Sequence, residues 1–357
     1  IAEDEFNGCE RLLKIEVDSR NANYCSDNGI LFDKYKERII KCPEGLKLIE
    51  YVIPTSVERI ATGAFSNCDQ LAKIVFPDAI KSIGSGAFYG CVNLDGIDLP
   101  NSISEIGERA FSGCVRLSKI RIPQSITSIE STTFNRCASL THVVIPDSVL
   151  SIGSGAFREC GSIQSVKVGK SVGTIGASAF ENCSSLRYLL LGESVSIIEN
   201  RAFNGCIELE TVINNSQLNL LKGDVSYGHV GYYADEIHKV DCQINDYCFV
   251  ISEDEYKLVA YVGQGDYLTL PEGVKGERYS IAKEAFYTQS GILGVVISDK
   301  VSKIENAAFV NCSTLKELVC YSLFPPICEE DAFNSIELQE CVLKVPMGRK
   351  TIYQKSM

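Results

Sequence analysis

The chain has no tryptophan, two methionines, three histidines and ten prolines in 357 residues. So few histidines leave little for general acid–base chemistry, and none of His142, His229 and His238 accompanies a nucleophile motif such as G-x-S-x-G or the metal-binding H-E-x-x-H. Zinc would need closely spaced cysteine pairs backed by a second pair or by histidines, and that pattern is missing. Gly84-Ser-Gly86 and Gly153-Ser-Gly155 recur with the surrounding sequence and read as repeat turns, not phosphate loops. The carboxylates are many but scattered. No catalytic residue, metal site or cofactor is therefore expected, and the chain reads as a non-enzyme. No apolar run approaches the roughly 18 residues of a membrane helix, so no membrane-spanning segment is expected. Basic charge is also short: 34 Lys and Arg face 46 Asp and Glu, for a net charge of −12. A field of that sign repels phosphate backbones, which excludes nucleic acid as a natural ligand. The chain opens at Ile1 without a leader pattern, which leaves export open.

What the sequence has is a repeat. Phe65, Phe88, Phe111, Phe134, Phe157, Phe180 and Phe203 follow one another at intervals of 23 residues. Three residues after each stands a cysteine, from Cys68 to Cys206, and six after stands Leu71, Leu94, Leu117, Leu140, Ile163, Leu186 or Leu209. Five residues before each stands an isoleucine, from Ile60 to Ile198. A unit of this size cannot bury its own apolar face, so copies must stack and share a core. Partial copies flank the block: Phe6, Cys9, Leu12, Ile15 and Val17 before it, then Phe286 with Ile292, Phe309 with Cys312 and Leu315, and a degenerate copy from Phe333.

Within a unit, Leu94, Ile97 and Leu99 alternate with Gly96 and Asp98, the period of a strand, and Pro100 ends it. Ser102-Ile103 through Ile106-Gly107 reads as a second extended piece, and the G-A-F-x-x-C stretch turns the chain. The expected fold is mainly β and irregular: a right-handed leucine-rich-repeat solenoid of 23-residue coils with short parallel strands. The pattern C-x-x-L-x-x-I-x-I-P-x-S-V-x-x-I-G-x-x-A-F over about residues 53–213 and 280–345 resembles the BspA-like (treponemal-type) leucine-rich repeat family. That resemblance implies a surface-exposed or secreted bacterial protein whose relatives act in adhesion or in binding host proteins.

The expected organisation is a single solenoid over 1–357: a partial first coil (1–17), an island (18–52), seven regular coils (53–213), a second island (214–279), late coils (280–345) and an end segment (346–357). The altered tail suits a terminal unit that covers an open end. In the islands, Gly29–Phe32 with Arg38–Cys42, and Tyr247–Ile251 with Leu258–Val262, read as hairpins, with decayed coils as the alternative. Of 16 cysteines, nine (the seven in register plus Cys9 and Cys312) are expected at one inward position as buried thiols. Parallel stacked side chains lack the roughly 90° torsion of a disulfide. Cys242 and Cys248 could pair.

Candidate binding residues come from the outward positions of the first strand, two and four residues after the repeated Leu. Lys119, Arg121, His142, Val144, Lys167, Tyr188, Leu190 and Ile213 form the expected concave face, basic in its middle and apolar toward its end. Tyr227, Tyr232, Tyr233 and Tyr247 give the second island an aromatic density suited to a protein or glycan. The leading expectation is a surface-displayed or secreted binding and adhesion module for a protein, with host proteins among the candidates. The alternatives are a glycan-binding accessory protein and a passive spacer.

Overall fold

The structure is a computed structural model that describes residues 6, 8–263, 265–287, 291–310, 312–333, 336 and 340–353. The outermost residues of the expected first and last segments, 1–5 and 354–357, lie outside them. The chain separates into two compact units, Ile1–Val212 with Ser216–Ile237, and Ile213–Asn215 with His238–Met357.

In the first unit each coil contributes two short strands, and equivalent strands pair in parallel at the repeat interval. Ile60, Ile83 and Ile106 face one another in register, as do Ile129, Ile152, Ile175 and Ile198. All seven are buried, because a period of two on so short a strand leaves one residue to face the core. The other strand of the coil pairs Glu50–Val52 with Lys73–Val75, Ile97–Asp98 with Ile120–Arg121, and His142–Val144 with Ser165–Lys167, which pairs in turn with Tyr188–Leu191. Gly96 and Asp98 point to solvent as the alternation requires.

The phenylalanines stack. From Phe65 to Phe203 successive ring centroids lie 5.1–5.6 Å apart with planes within 16° of parallel. The backbone enforces this spacing: Phe88 N–H donates to the carbonyl of Ala110 at 2.7 Å, and Phe157 N–H to that of Ala179 at 2.7 Å. Each ring is thereby held one strand spacing from the next. The cysteine column runs beside the rings. Cys91, Cys114, Cys137, Cys160, Cys183 and Cys206 are buried, and each thiol donates to the carbonyl of the phenylalanine 26 residues earlier at 3.1–3.3 Å. Cys9 departs from the expectation and is exposed. Its segment keeps the turn bonds of a coil, Cys9 N–H to Phe6 O and Leu12 N–H to Cys9 O, but no ring column covers it there.

Both islands contain hairpins whose last strand is spliced into the ladder. Tyr24–Asp27, Ile30–Asp33 and Arg38–Lys41 pair antiparallel in turn, and Ile39 then pairs in parallel with Ile60. The first of these pairs closes through Asn28-Gly29, both with positive φ (51° and 82°), the geometry of a tight two-residue hairpin turn. Cys42 N–H donates to Ala64 O as each Phe N–H does in later coils, so Cys42 occupies a ring position. The second unit repeats the device. Cys242–Ile244, Tyr247–Ser252 and Glu255–Tyr261 are antiparallel, Leu258 pairs in parallel with Ile281, and Tyr261 takes the ring position below Phe286. Phe286, Phe309 and Phe333 then stack at 4.6 and 5.2 Å. Cys242 lies opposite Phe249, and Cys248 opposite Gln243, so the two thiols project from opposite faces of the sheet and cannot bridge.

Candidate functional site

The outward positions of the first unit's strand ladder divide into two regimes. On the earlier coils they are open: Lys119 and Arg121 are exposed, Val144 is 40% exposed, and His142 is half-buried. The His142 Nδ1 lies 2.8 Å from Ser165 Oγ on the next coil, and burial pushes the imidazole below its ordinary pKa, favouring the neutral ring. Lys73 and Val75 continue this open face toward the first coil.

On the later coils the same positions are closed. Lys167, Tyr188 and Leu190, expected to face a partner, are 4%, 2% and 1% exposed, and Ile213, expected to join them but part of the second unit, is 1% exposed. They are not available for binding. The reason is physical: Tyr188–Leu191 is an unbroken apolar run, and such runs belong to parallel strands covered on both faces, whereas alternating strands have one wet face. The strand Ser165–Lys167 before it is likewise buried at all three residues.

The island tyrosines also separate. Tyr247 is core: it is buried, its ring centroid lies 5.0 Å from that of Tyr261, and its hydroxyl donates to Thr269 O at 2.9 Å. Tyr227 and Tyr233 are half-buried and pack against the first unit's core. Tyr232 remains 54% exposed, set edge-on to the Tyr233 ring at 4.9 Å. Gly228 O accepts the Phe203 N–H at 2.8 Å, so the island begins as a degenerate coil with His229 beside the ring position.

Sequence reasoning passed over a second open face, on the strand ladder of the second unit. There Tyr267–Thr269, Gly294–Ile297, Glu317–Cys320 and Val342–Lys344 pair in parallel, with Tyr267, Gly294, Glu317 and Val342 in one row and Thr269, Val296, Val319 and Lys344 in the next. Tyr267 is 64% and Tyr321 68% exposed, and Lys344 Nζ forms an ion pair with Glu317. The offsets of two and four residues used on the regular coils find Gly294, Val296, Glu317 and Val319 when applied after Ile292 and Leu315. Tyr267 and Lys344 escape them, because Gly265 and Glu340 stand where the guiding leucine should be.

Among the described residues no group of three or more His, Cys, Asp or Glu is arranged to hold a metal ion, and no helix is long and apolar enough to cross a membrane.

Stacked 23-residue coils with parallel strand ladders and a shared core define a leucine-rich-repeat solenoid. The chain belongs to the family described as the BspA type Leucine rich repeat region (6 copies), which it matches over residues 41–160, 127–252 and 279–356. This is a family of bacterial surface proteins, and its repeat fold suits protein binding. Among solved structures, the chain is similar to a leucine-rich repeat protein from Eubacterium ventriosum, at 28% identity and a TM-score of 0.54 over 61% of this chain and 57% of that one. The likeness thus takes in little more than half of that protein. It is also similar in fold to a leucine rich cell surface protein from Faecalibacterium prausnitzii, at 20% identity and a TM-score of 0.50 over 95% of this chain and 98% of that one. Comparison with curated proteins finds no match.

Proposed function

We propose that the chain is a non-catalytic module, displayed on or secreted from a bacterial cell, that recognises an extracellular protein through the open part of the first unit's strand ladder. The observation that carries this reading is the group Lys119, Arg121 and Val144, which stay in solvent on strands whose intervening residues, half-buried Ile120 and buried Val143, pack against the core. A face built on a strand ladder loses little backbone freedom on binding, which favours affinity from a modest area. Arginine is also among the residues enriched at the energetic centres of protein interfaces. Membership of a family of bacterial surface proteins supports the reading that such a face meets proteins outside the cell.

The test is binding of the whole chain to a panel of immobilised extracellular-matrix and mucosal proteins. Arg121→Ala combined with Val144→Ala is expected to weaken binding at least tenfold while the unfolding midpoint stays unchanged. Retention of every bound protein at full affinity by that variant, or no binding anywhere in the panel, would refute the reading.

A further inference from the structure

The open face of the second unit differs in chemistry from that of the first. Tyr267 stands on the outermost strand of its ladder beside Gly294. A Cβ built on Gly294 would come within 2.5 Å of Tyr267 Cδ1 and 2.7 Å of Cε1, so the tyrosine ring fills the space above the neighbouring strand that any other residue would claim. The absence of a side chain at Gly294 therefore leaves room for the Cδ1–Cε1 edge of the ring beside the neighbouring strand, while Tyr267 as a whole stays largely in solvent. Tyr321 follows directly after Cys320, two strands across from Tyr267. Strand spacing and rise place the two Cα atoms roughly 15 Å apart. The Glu317–Lys344 ion pair stands on the same face. The ammonium of Lys344 is raised above its ordinary pKa by its hydrogen bond and charge interaction with Glu317, and both Tyr267 and Tyr321 lie near enough to add to that effect.

We propose that Tyr267, Tyr321, Glu317 and Lys344 form a binding site for a neutral oligosaccharide chain. A pyranose ring has an apolar C–H face and a rim of hydroxyls. The face suits an exposed tyrosine ring seated along one edge, as Tyr267 is, and the rim suits a lysine and a glutamate that donate and accept charge-assisted hydrogen bonds. A protein partner fits less well, because an interface centred here would have to bury the ion pair, whose desolvation cost offsets much of its gain. Sugar hydroxyls replace the water around that pair bond for bond, and two separated platforms on an open sheet suit an extended chain more than a single sugar. This site uses other residues and another class of ligand than the protein-binding face of the first unit, so each stands or fails alone.

The experiment is binding of the full chain to immobilised hexasaccharides of the gluco, galacto, manno and xylo series. At least one series should bind, with Tyr267→Ala and Tyr321→Ala each weakening it tenfold or more. Tyr267→Phe, which keeps the ring, should stay within about threefold of the parent. Tyr232→Ala, at an exposed tyrosine of the other unit, should change nothing, and all four variants should unfold at the parent's midpoint. The proposal is overturned if no series binds, if both alanine variants bind as the parent does, or if Tyr267→Ala abolishes capture of a purified protein while no hexasaccharide is bound.

Discussion

The ring column can be tested for cooperation between neighbours. Phe134 is buried, with its centroid 5.6 Å from Phe111 and 5.2 Å from Phe157. Phe134→Leu keeps most of the apolar volume and removes both aromatic contacts. At about 0.5–1.5 kcal/mol for each pair beyond its buried area, that substitution costs about 1–3 kcal/mol, and Phe157→Leu costs the same for the same reason. The double variant loses three contacts instead of four, since the Phe134–Phe157 pair is shared by the two single changes. It should therefore be less destabilised than the sum of the singles by about 0.5–1.5 kcal/mol. Phe88 and Phe180 have no ring neighbour in common, so their cycle should close to within about 0.5 kcal/mol. Equilibrium urea unfolding followed by far-UV circular dichroism measures both cycles, reading the transition that the single changes move. Equal coupling in the adjacent and distant pairs would refute the column as an energetic unit.

Four further outcomes follow from particular contacts. Burial pushes the Cys114, Cys206 and Cys312 thiols up to about 12, above their unfolded value, so their share of stability is complete below about pH 9 and is lost as pH rises toward 12. Each such thiol removes about 1.4 kcal/mol per pH unit in that window, and thiolate absorbance should appear only with alkaline unfolding; native thiols titrating near pH 9 would contradict this. Glu181 is raised by burial, but hydrogen bonds from Ser178 and Asn204 and the charges of Arg201 and Arg158 outweigh that and hold it below the usual carboxylate range. Its contribution is present above the ordinary Glu pKa and lost as pH falls through the lowered one, so Glu181→Gln should flatten the acid limb of the stability curve, and an unchanged limb would exclude the network. Gly192→Ala would set a Cβ 2.3 Å from Gly169 O and should cost about 1–3 kcal/mol in chemical unfolding; a neutral result would mean the coils separate easily there. Tyr247→Phe frees Thr269 O from its hydroxyl partner and should cost about 1 kcal/mol without touching any ligand binding, whereas a binding defect at unchanged stability would return Tyr247 to the surface.

The regular coils were legible because their interval is constant and one residue type fills each inward column. Their strands, turns and buried thiols follow from Phe, Cys, Leu and Ile positions alone. The hairpins were legible as apolar–polar–apolar segments, but the extra strand Tyr24–Asp27 was passed over although Asn28-Gly29 is a strong two-residue turn signal. Outward residues were harder. Alternation tells which face of a strand a residue occupies, not whether that face meets water. Val144 and Leu190 hold the same repeat position, yet one is exposed and the other sealed. The distinction lay in a longer-range feature, the apolar continuity of Tyr188–Leu191, which marks a sheet covered on both sides. Cys9 failed for the complementary reason: a correct local turn does not guarantee that a neighbouring coil buries it.

Why cysteine fills the column beside the rings follows from the hydrogen-bond inventory. Each phenylalanine carbonyl has two lone pairs. In Phe65 one accepts the N–H of Cys68 at 3.1 Å within its own coil, and the other accepts the thiol of Cys91 from the next coil, also at 3.1 Å. Alanine would pack but leave the second lone pair bare. Serine would donate more strongly, yet its hydroxyl costs more to remove from water than a thiol does. Cysteine is apolar enough to be buried and polar enough to donate weakly. Cys68 supports the argument by exception: the ring position below it holds Cys42, and its thiol reaches that residue's carbonyl at only 3.9 Å. The contact lengthens likewise at Cys312, whose thiol lies 3.7 Å from Phe286 O, so the short contact belongs to the uninterrupted run of regular coils, where the ring and thiol columns together tie each coil to the last.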